Sequence, residues 1–314
     1  KDIIYNIYIE RNFYMKKIIA HKGGAYLYPE NSRDAILQSY DDFTCDGTEI
    51  DVRMTKDRVL VIMHDIDTFR SGDKLKLIRN HTYDELKNIL VRPHRIDWYL
   101  QYYENLTSRD SIHDRYNLQL LSSVKQKRSN LITLKEALMM LPQNHELVVE
   151  YKGANEDYDA YETYQRILFE TIAPYSYKNV KVKGYDAHIG MYLKGKLGNI
   201  AVGTLVNRKT ITNIDYPFDF VSIQNRLLLK QRELYQKCVS YHNCSRDLYV
   251  WTLDRYQDFL SCSRFFEKYQ TMPNIITNNP RVMYKLMRLH DIFGNQFEDQ
   301  TKKVEMQKIL KYPM

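Results

Sequence analysis

Short apolar runs rich in Val, Ile and Leu recur along this chain, and most are separated by stretches whose apolar residues fall at helical spacing. The runs read as strands at residues 17–21, 48–54, 59–65, 146–151, 180–185, 200–206, 218–224, 248–253 and 274–277. Between them, helical patterns occupy 32–40, 133–140, 158–172, 230–238, 257–269 and 280–289. Pro29 marks the turn before the first helix, which Asn31 or Ser32 can cap. Near-continuous apolar character, as in Glu146-Leu147-Val148-Val149-Glu150, suits parallel strands covered by helices. The rhythm predicts an α/β fold, and nine strand candidates suffice for a barrel of eight.

The rhythm breaks over residues 66–130, where Lys, Arg, Asn, Tyr and His crowd a segment with short helical patterns only, at 82–90 and 96–104. This segment is expected to be an insertion that leaves the barrel after Asp65 and covers its mouth. Met15-Lys16-Lys17 looks like a natural start, which makes residues 1–14 an appendage to a barrel of 15–293. Residues 294–314 are polar, with a short amphipathic pattern at 304–310, and read as a tail or peripheral helix.

Composition narrows the class. Hydrophobic residues at 44% are too many for a disordered chain, and 314 residues accommodate either two average domains or one large barrel. No apolar run reaches the roughly 20 residues of a membrane span, and the first residues lack the apolar core of a signal peptide. A cytoplasmic protein without stable membrane insertion is the expectation. Four cysteines without a C-x-x-C pair fit reduced thiols better than a disulfide framework or a zinc site. The net charge of +7 is spread without a basic block, so no nucleic-acid partner is expected, and an anionic small substrate is tolerated.

Three groups of residues carry candidate chemistry. On a strand, Glu49 and Asp51 point to one face while Ile50 and Val52 point to the other. Inside a barrel, two such carboxylates call for a cation; on an edge strand they would be merely solvated. Glu150 and Lys152 share a face at the end of an otherwise apolar run, a pairing that fits either a strand-terminal salt bridge or a site. In a site, Glu150 would add a third oxygen ligand of the kind Mg²⁺ or Ca²⁺ accepts, and Lys152 would face a phosphate. His21 and His64 each end an apolar run, and at the mouth of a barrel such imidazoles are a natural acid and base for displacement at phosphorus.

These residues sit within longer motifs. Ile19-Ala20-His21-Lys22-Gly23-Gly24, Pro29-Glu30-Asn31-Ser32, Glu49-Ile50-Asp51-Val52-Arg53-Met54-Thr55-Lys56-Asp57 and Val59-Leu60-Val61-Ile62-Met63-His64-Asp65 resemble the glycerophosphodiester phosphodiesterase family in order and spacing. Later landmarks at Val149-Glu150-Tyr151-Lys152, Val250-Trp251-Thr252-Leu253-Asp254 and Ile275-Ile276-Thr277-Asn278-Asn279-Pro280 extend the resemblance over roughly residues 18–290. It implies a TIM barrel with an inserted subdomain after the third strand, and hydrolysis of glycerophosphodiesters to sn-glycerol 3-phosphate and an alcohol. It also implies Glu49, Asp51 and Glu150 as ligands of a divalent cation and His21 and His64 as the acid–base pair. Lys152 and Trp251 match positions facing the substrate, and Asn31 matches a support of the first loop. Where the family usually has Arg after the first histidine, this chain has Lys22, which keeps a charge toward substrate but not a planar fork. Gly184-Tyr185-Asp186 stands where a Ser-Phe pair is usual, which alters one wall of the expected pocket. Two other readings remain open: a phospholipase D-like enzyme acting on lysophospholipid or sphingolipid head groups, and a non-catalytic barrel that binds phosphodiesters.

Overall fold

The computed structural model describes residues 16–93, 124–125, 127–153, 158–230, 232–241, 244–269 and 272–293. Eight of the nine expected strands form a parallel barrel: β1 (Ile18–His21), β2 (Gly47–Met54), β3 (Glu146–Tyr151), β4 (Val180–Gly184), β5 (Ala201–Val206), β6 (Phe220–Gln224), β7 (Asp247–Trp251) and β8 (Asn274–Thr277). Pairing of β8 with β1, from Ile18 opposite Ile275 to Ala20 opposite Thr277, closes the cylinder. Helices cover the outside, beginning with Arg33–Asp41 after β1 and ending with Pro280–Phe293 after β8.

Strand alternation divides the side chains into two sets. Ile19, Val148, Phe220, Tyr249 and Ile276 meet inside the barrel. Their neighbours Ile50, Val52, Leu147 and Val149 face outward and pack with Ala137, Leu138 and Leu168 of the helical layer. Gly203 is required in the interior, because a Cβ there would stand 2.4 Å from the Phe220 ring. At the N-terminal end of the strands, Glu146 accepts from Tyr249 Oη (2.7 Å) and pairs with Lys17 Nζ (2.6 Å), so the barrel is plugged by a paired polar layer.

The ninth candidate, expected at 59–65, is a strand at Leu60–Ile62 that lies outside the cylinder. β2 is eight residues long and overshoots the barrel rim; the chain reverses at 55–58, where Arg58 takes φ 65°, and returns antiparallel with Val52 opposite Ile62. The return brings Met63 N within 2.8 Å of Asp51 O. His64 therefore reaches the mouth from above, not from the end of a barrel strand.

The described part of the 66–130 segment builds a small core of its own on this hairpin, with Ile78, Leu86, Ile89 and Val91 against Val61 and Met63. Its helix is one turn, Tyr83–Leu86, fixed by a capping box between Thr82 and Glu85. Leu90–Val91 pairs antiparallel with Ser129–Asn130 and closes the segment. The expected helix at 96–104, the appendage at 1–14 and the tail at 294–314 lie outside the described residues. Two further differences concern helices. The pattern at 230–238 corresponds to the helix Arg232–Val239, and a further helix that the pattern did not announce, Asn225–Lys230, precedes it. Ala187–Leu197 is a helix that periodicity misses, because Gly190 and Gly195 dilute its propensity; Asp186 starts it by accepting from His188 N and Ile189 N. Cys45, Cys238 and Cys262 are free and buried.

Candidate active site

Register assembles the site. His21 lies beside Glu49 across β1 and β2, Asp51 beside Glu150 across β2 and β3, and Glu150 beside Lys183 across β3 and β4. Because the strands are parallel and in step, carboxylates two residues apart on β2 and one on β3 meet at the C-terminal mouth. One ligand oxygen from each of Glu49, Asp51 and Glu150 lies within 4.8 Å of the others, and all three residues are buried.

Asn31 holds this cluster in place. Ser32, not Asn31, caps the following helix, accepting from Ala35 N. Asn31 instead donates from Nδ2 to Asp51 Oδ2 (2.7 Å) and accepts at Oδ1 from Asp51 N (3.2 Å). It does so from a backbone at φ 56°, in a loop where Lys22, Gly23 and Gly24 also take φ of 54°, 77° and 88°. A Cβ on Gly23 would stand 2.8 Å from Ala35, so that loop lies directly on the helix.

His21 is oriented by residues that sequence reading left as landmarks. Asn278 Nδ2 donates to Asp254 Oδ2 (2.6 Å), which turns its Oδ1 toward His21 Nδ1 at 2.7 Å. Nδ1 therefore carries the proton, and Nε2 keeps a lone pair 3.9 Å from Glu49 Oε2. Burial, then the charge of Lys22, push the imidazole down to about 4 despite Asp51 and Asn278, so at neutral pH it is the uncharged form. His64 is held differently. Its Nδ1 donates to Asp65 Oδ1 (2.6 Å), and Arg70, the first basic residue of the inserted segment, grips Asp65 in turn. Arg70 Nη2 also reaches Glu30 Oε1 at 2.5 Å, where Lys22 Nζ arrives at 3.1 Å. Burial raises Glu30, but Lys22 and Arg70 outweigh it and hold the carboxyl down at about 2.

Lys152 Nζ contacts Asp51 Oδ1 at 2.8 Å and also Glu150. Against burial, these carboxylates raise the ammonium, and Lys152 in turn leads the charges that hold Asp51 well below its usual range. Glu150 is raised, first by burial. Lys183, not picked out by sequence, is 2% exposed and lies 3.2 Å from Glu49 Oε1 and 3.8 Å from Glu150 Oε2. Among the described residues Glu49 Oε1 nonetheless has no hydrogen-bond donor, and it is fully buried. Three carboxylates at metal-chelating spacing, one with an oxygen lacking a donor, form the all-oxygen set that suits a hard divalent cation at roughly 2.0–2.6 Å. Trp251 ends β7 against the interior cluster, and its buried indole N–H has no acceptor among the described residues. The structure thus brings His21, Asn31, Glu49, Asp51, Glu150 and Lys152 together, with His64 near enough for its charge to act on Asp51, Lys22 engaged to Glu30 and Trp251 against the interior packing.

The sequence matches the glycerophosphoryl diester phosphodiesterase family over residues 21–282, a span that contains all of these groups. The chain belongs to this family. It is 25% identical over 271 residues to a glycerophosphodiester phosphodiesterase of Caldanaerobacter subterraneus subsp. tengcongensis, covering 86% of this chain and 97% of that protein. Its fold is shared by a glycerophosphodiester phosphodiesterase of Thermotoga maritima, with TM-score 0.61 and 18% identity over 87% of this chain and 99% of that one. An Oleispira antarctica phosphodiesterase solved with the product sn-glycerol-3-phosphate is similar at TM-score 0.60 and 16% identity, covering 88% and 97% of the two chains. Within this family of phosphoric diester hydrolases, the departure at Gly184 has a physical partner here. Gly184 lies opposite Tyr151, on the outward face, and a Cβ would stand 2.1 Å from that ring. The change at 184 therefore belongs to the helical layer, whereas Tyr185 lies close enough to Glu150 and Lys152 to feel their charges, and burial pushes its hydroxyl up to about 12.

Proposed function

We propose that this chain hydrolyses glycerophosphodiesters to sn-glycerol 3-phosphate and an alcohol, with a divalent cation, Mg²⁺ or Ca²⁺, held by Glu49, Asp51 and Glu150. The observation that carries this reading is the buried carboxylate triad beside a neutral His21 whose Nε2 is free to accept a proton. Glu49, Asp51 and Glu150 would hold the cation, which would supply electrostatic stabilisation of the charge that develops on the phosphoryl oxygens. His21 Nε2 takes the proton of the attacking hydroxyl as the new P–O bond forms; water as nucleophile gives sn-glycerol 3-phosphate directly, whereas the substrate's own glycerol hydroxyl gives a cyclic phosphate that a water then opens to the same product. His64 gives its Nε2 proton to the departing alkoxide as the old P–O bond breaks, its ring oriented by the Nδ1 contact with Asp65. Lys152 stands on a side chain 10% exposed at the end of β3, and swings from the carboxylates to the phosphate as a compact point charge. Trp251 supplies an apolar edge for the glycerol, and Lys22 and Arg70 keep the first loop and His64 in register through Glu30.

The test is release of sn-glycerol 3-phosphate from glycerophosphocholine compared with head-group release from a lysophospholipid. Faster turnover of glycerophosphocholine is expected; turnover of the lysolipid alone would replace this reading with the phospholipase D-like one, and turnover of neither would leave a binding barrel.

A further inference from the structure

Two lysines flank the carboxylate triad, and they are placed for different work. Lys152 contacts the oxygens of Asp51 and Glu150 from a partly exposed strand end. Lys183 approaches from within the barrel, projecting from β4 on the interior face in the same row as Glu150. Its side chain is 2% exposed, and its ammonium pairs with two further oxygens of the triad, Glu49 Oε1 and Glu150 Oε2. A lysine in that position has no solvent to retreat to, and burial of a charge so deep is costly unless the paired carboxylates stay ionised beside it.

We propose that Lys183 is a fixed counter-charge that sets how tightly the triad holds a divalent cation. The inference rests on the reading of Glu49, Asp51 and Glu150 as the cation's ligands. Three carboxylates and two ammoniums give the cluster a formal net charge of about −1, so much of the mutual repulsion among the close-packed acids is offset by the flanking lysines. A cation entering the triad replaces Lys152, whose contacts occupy ligand oxygens and whose stem can turn outward. Lys183 stays. It neutralises Glu49 without donating a hydrogen bond to Oε1, so that oxygen keeps its lone pairs for the ion. The result is a preformed site whose affinity is lowered by a like charge that cannot leave, as expected of like charges a few ångströms apart in a poorly screened interior.

The test is calorimetric titration of the metal-free full chain with MgCl₂ or CaCl₂ alone, comparing wild type with K183M and K183Q. Removing the fixed charge should tighten the cation by at least about tenfold in both variants. It should also lower the melting temperature in EDTA and return it toward wild type when the ion is saturating. If a variant folds only with the ion present, chelator competition on that protein gives the same comparison. Affinity equal to or weaker than wild type in the variants would overturn the inference and leave Lys183 a structural partner. Absence of any cation binding by the wild type would instead defeat the metal reading on which it rests.

Discussion

Asn278 Oδ1 stands 2.7 Å from His21 Nδ1, and the same amide is pinned from behind by Asp254. Because an amide can flip and an imidazole has two tautomers, this pair decides which nitrogen of His21 is basic. Replacing Asn278 with Ala frees the ring to take the wrong tautomer. Turnover should fall by about tenfold or more with KM changed much less. H21A and H64A, which remove the groups themselves, should each lose at least about 10²-fold in kcat with an unchanged circular dichroism spectrum. Wild-type turnover in N278A would show that His21 needs no such orientation.

Asn31 clamps Asp51 twice, and its own φ of 56° is one glycine accepts freely. N31A loses the clamp and keeps the backbone strain; N31G loses the clamp and relieves the strain. Both should weaken cation binding by roughly 10- to 100-fold, measured by titration of the metal-free protein. If N31G bound as tightly as wild type, the amide contacts would be incidental and the backbone alone important.

The carboxylate triad was legible in the chain because strand alternation places residues two apart on one face, and Glu49, Asp51 and Glu150 obey it. What joins them was not. Asn278 is 257 positions from His21, and no local pattern announces a contact made only when β8 closes on β1. Lys183 was hidden for the opposite reason: Val180-Lys181-Val182-Lys183 alternates like a strand with one solvated face, whereas the barrel turns its lysines inward onto Glu146 and Glu49. His64 was singled out by an argument about parallel strands that does not apply to it, since the antiparallel return of Leu60–Ile62 delivers it.

Gly184 and Tyr151 should be coupled. G184S forces a side chain into the Tyr151 ring and should cost about 1–3 kcal/mol in denaturant unfolding. Y151V opens that space and should recover part of the loss in a double-mutant cycle, even though it forfeits the hydrogen bond from Tyr151 Oη to Asp186 O (2.8 Å). Simple additivity of the two changes would contradict the packing assignment.

Acid should weaken the fold in a window set by buried histidine. Burial pushes His145 down to about 4 despite Asp46 and Glu146, and its Nε2 lies 2.7 Å from Thr48 Oγ1. The unfolded chain, with an imidazole near 6.5, binds this proton first, so stability is fully present above about pH 6.5 and is lost as pH falls toward about 4, by up to about 3 kcal/mol. H145Q keeps a polar group near Thr48 but cannot titrate. Its unfolding free energy should fall less steeply across that window than the wild type's, the remaining slope containing His21; parallel slopes would exclude His145 as a contributor.

The account stands on a divalent cation at Glu49, Asp51 and Glu150, and the most direct measurement is hydrolysis of glycerophosphocholine by the full chain before and after metal removal. Treatment with EDTA should reduce turnover by at least about 10²-fold, Mg²⁺ or Ca²⁺ should restore it, and neither ion should restore E150Q. Undiminished turnover by protein shown by elemental analysis to carry no metal would contradict it.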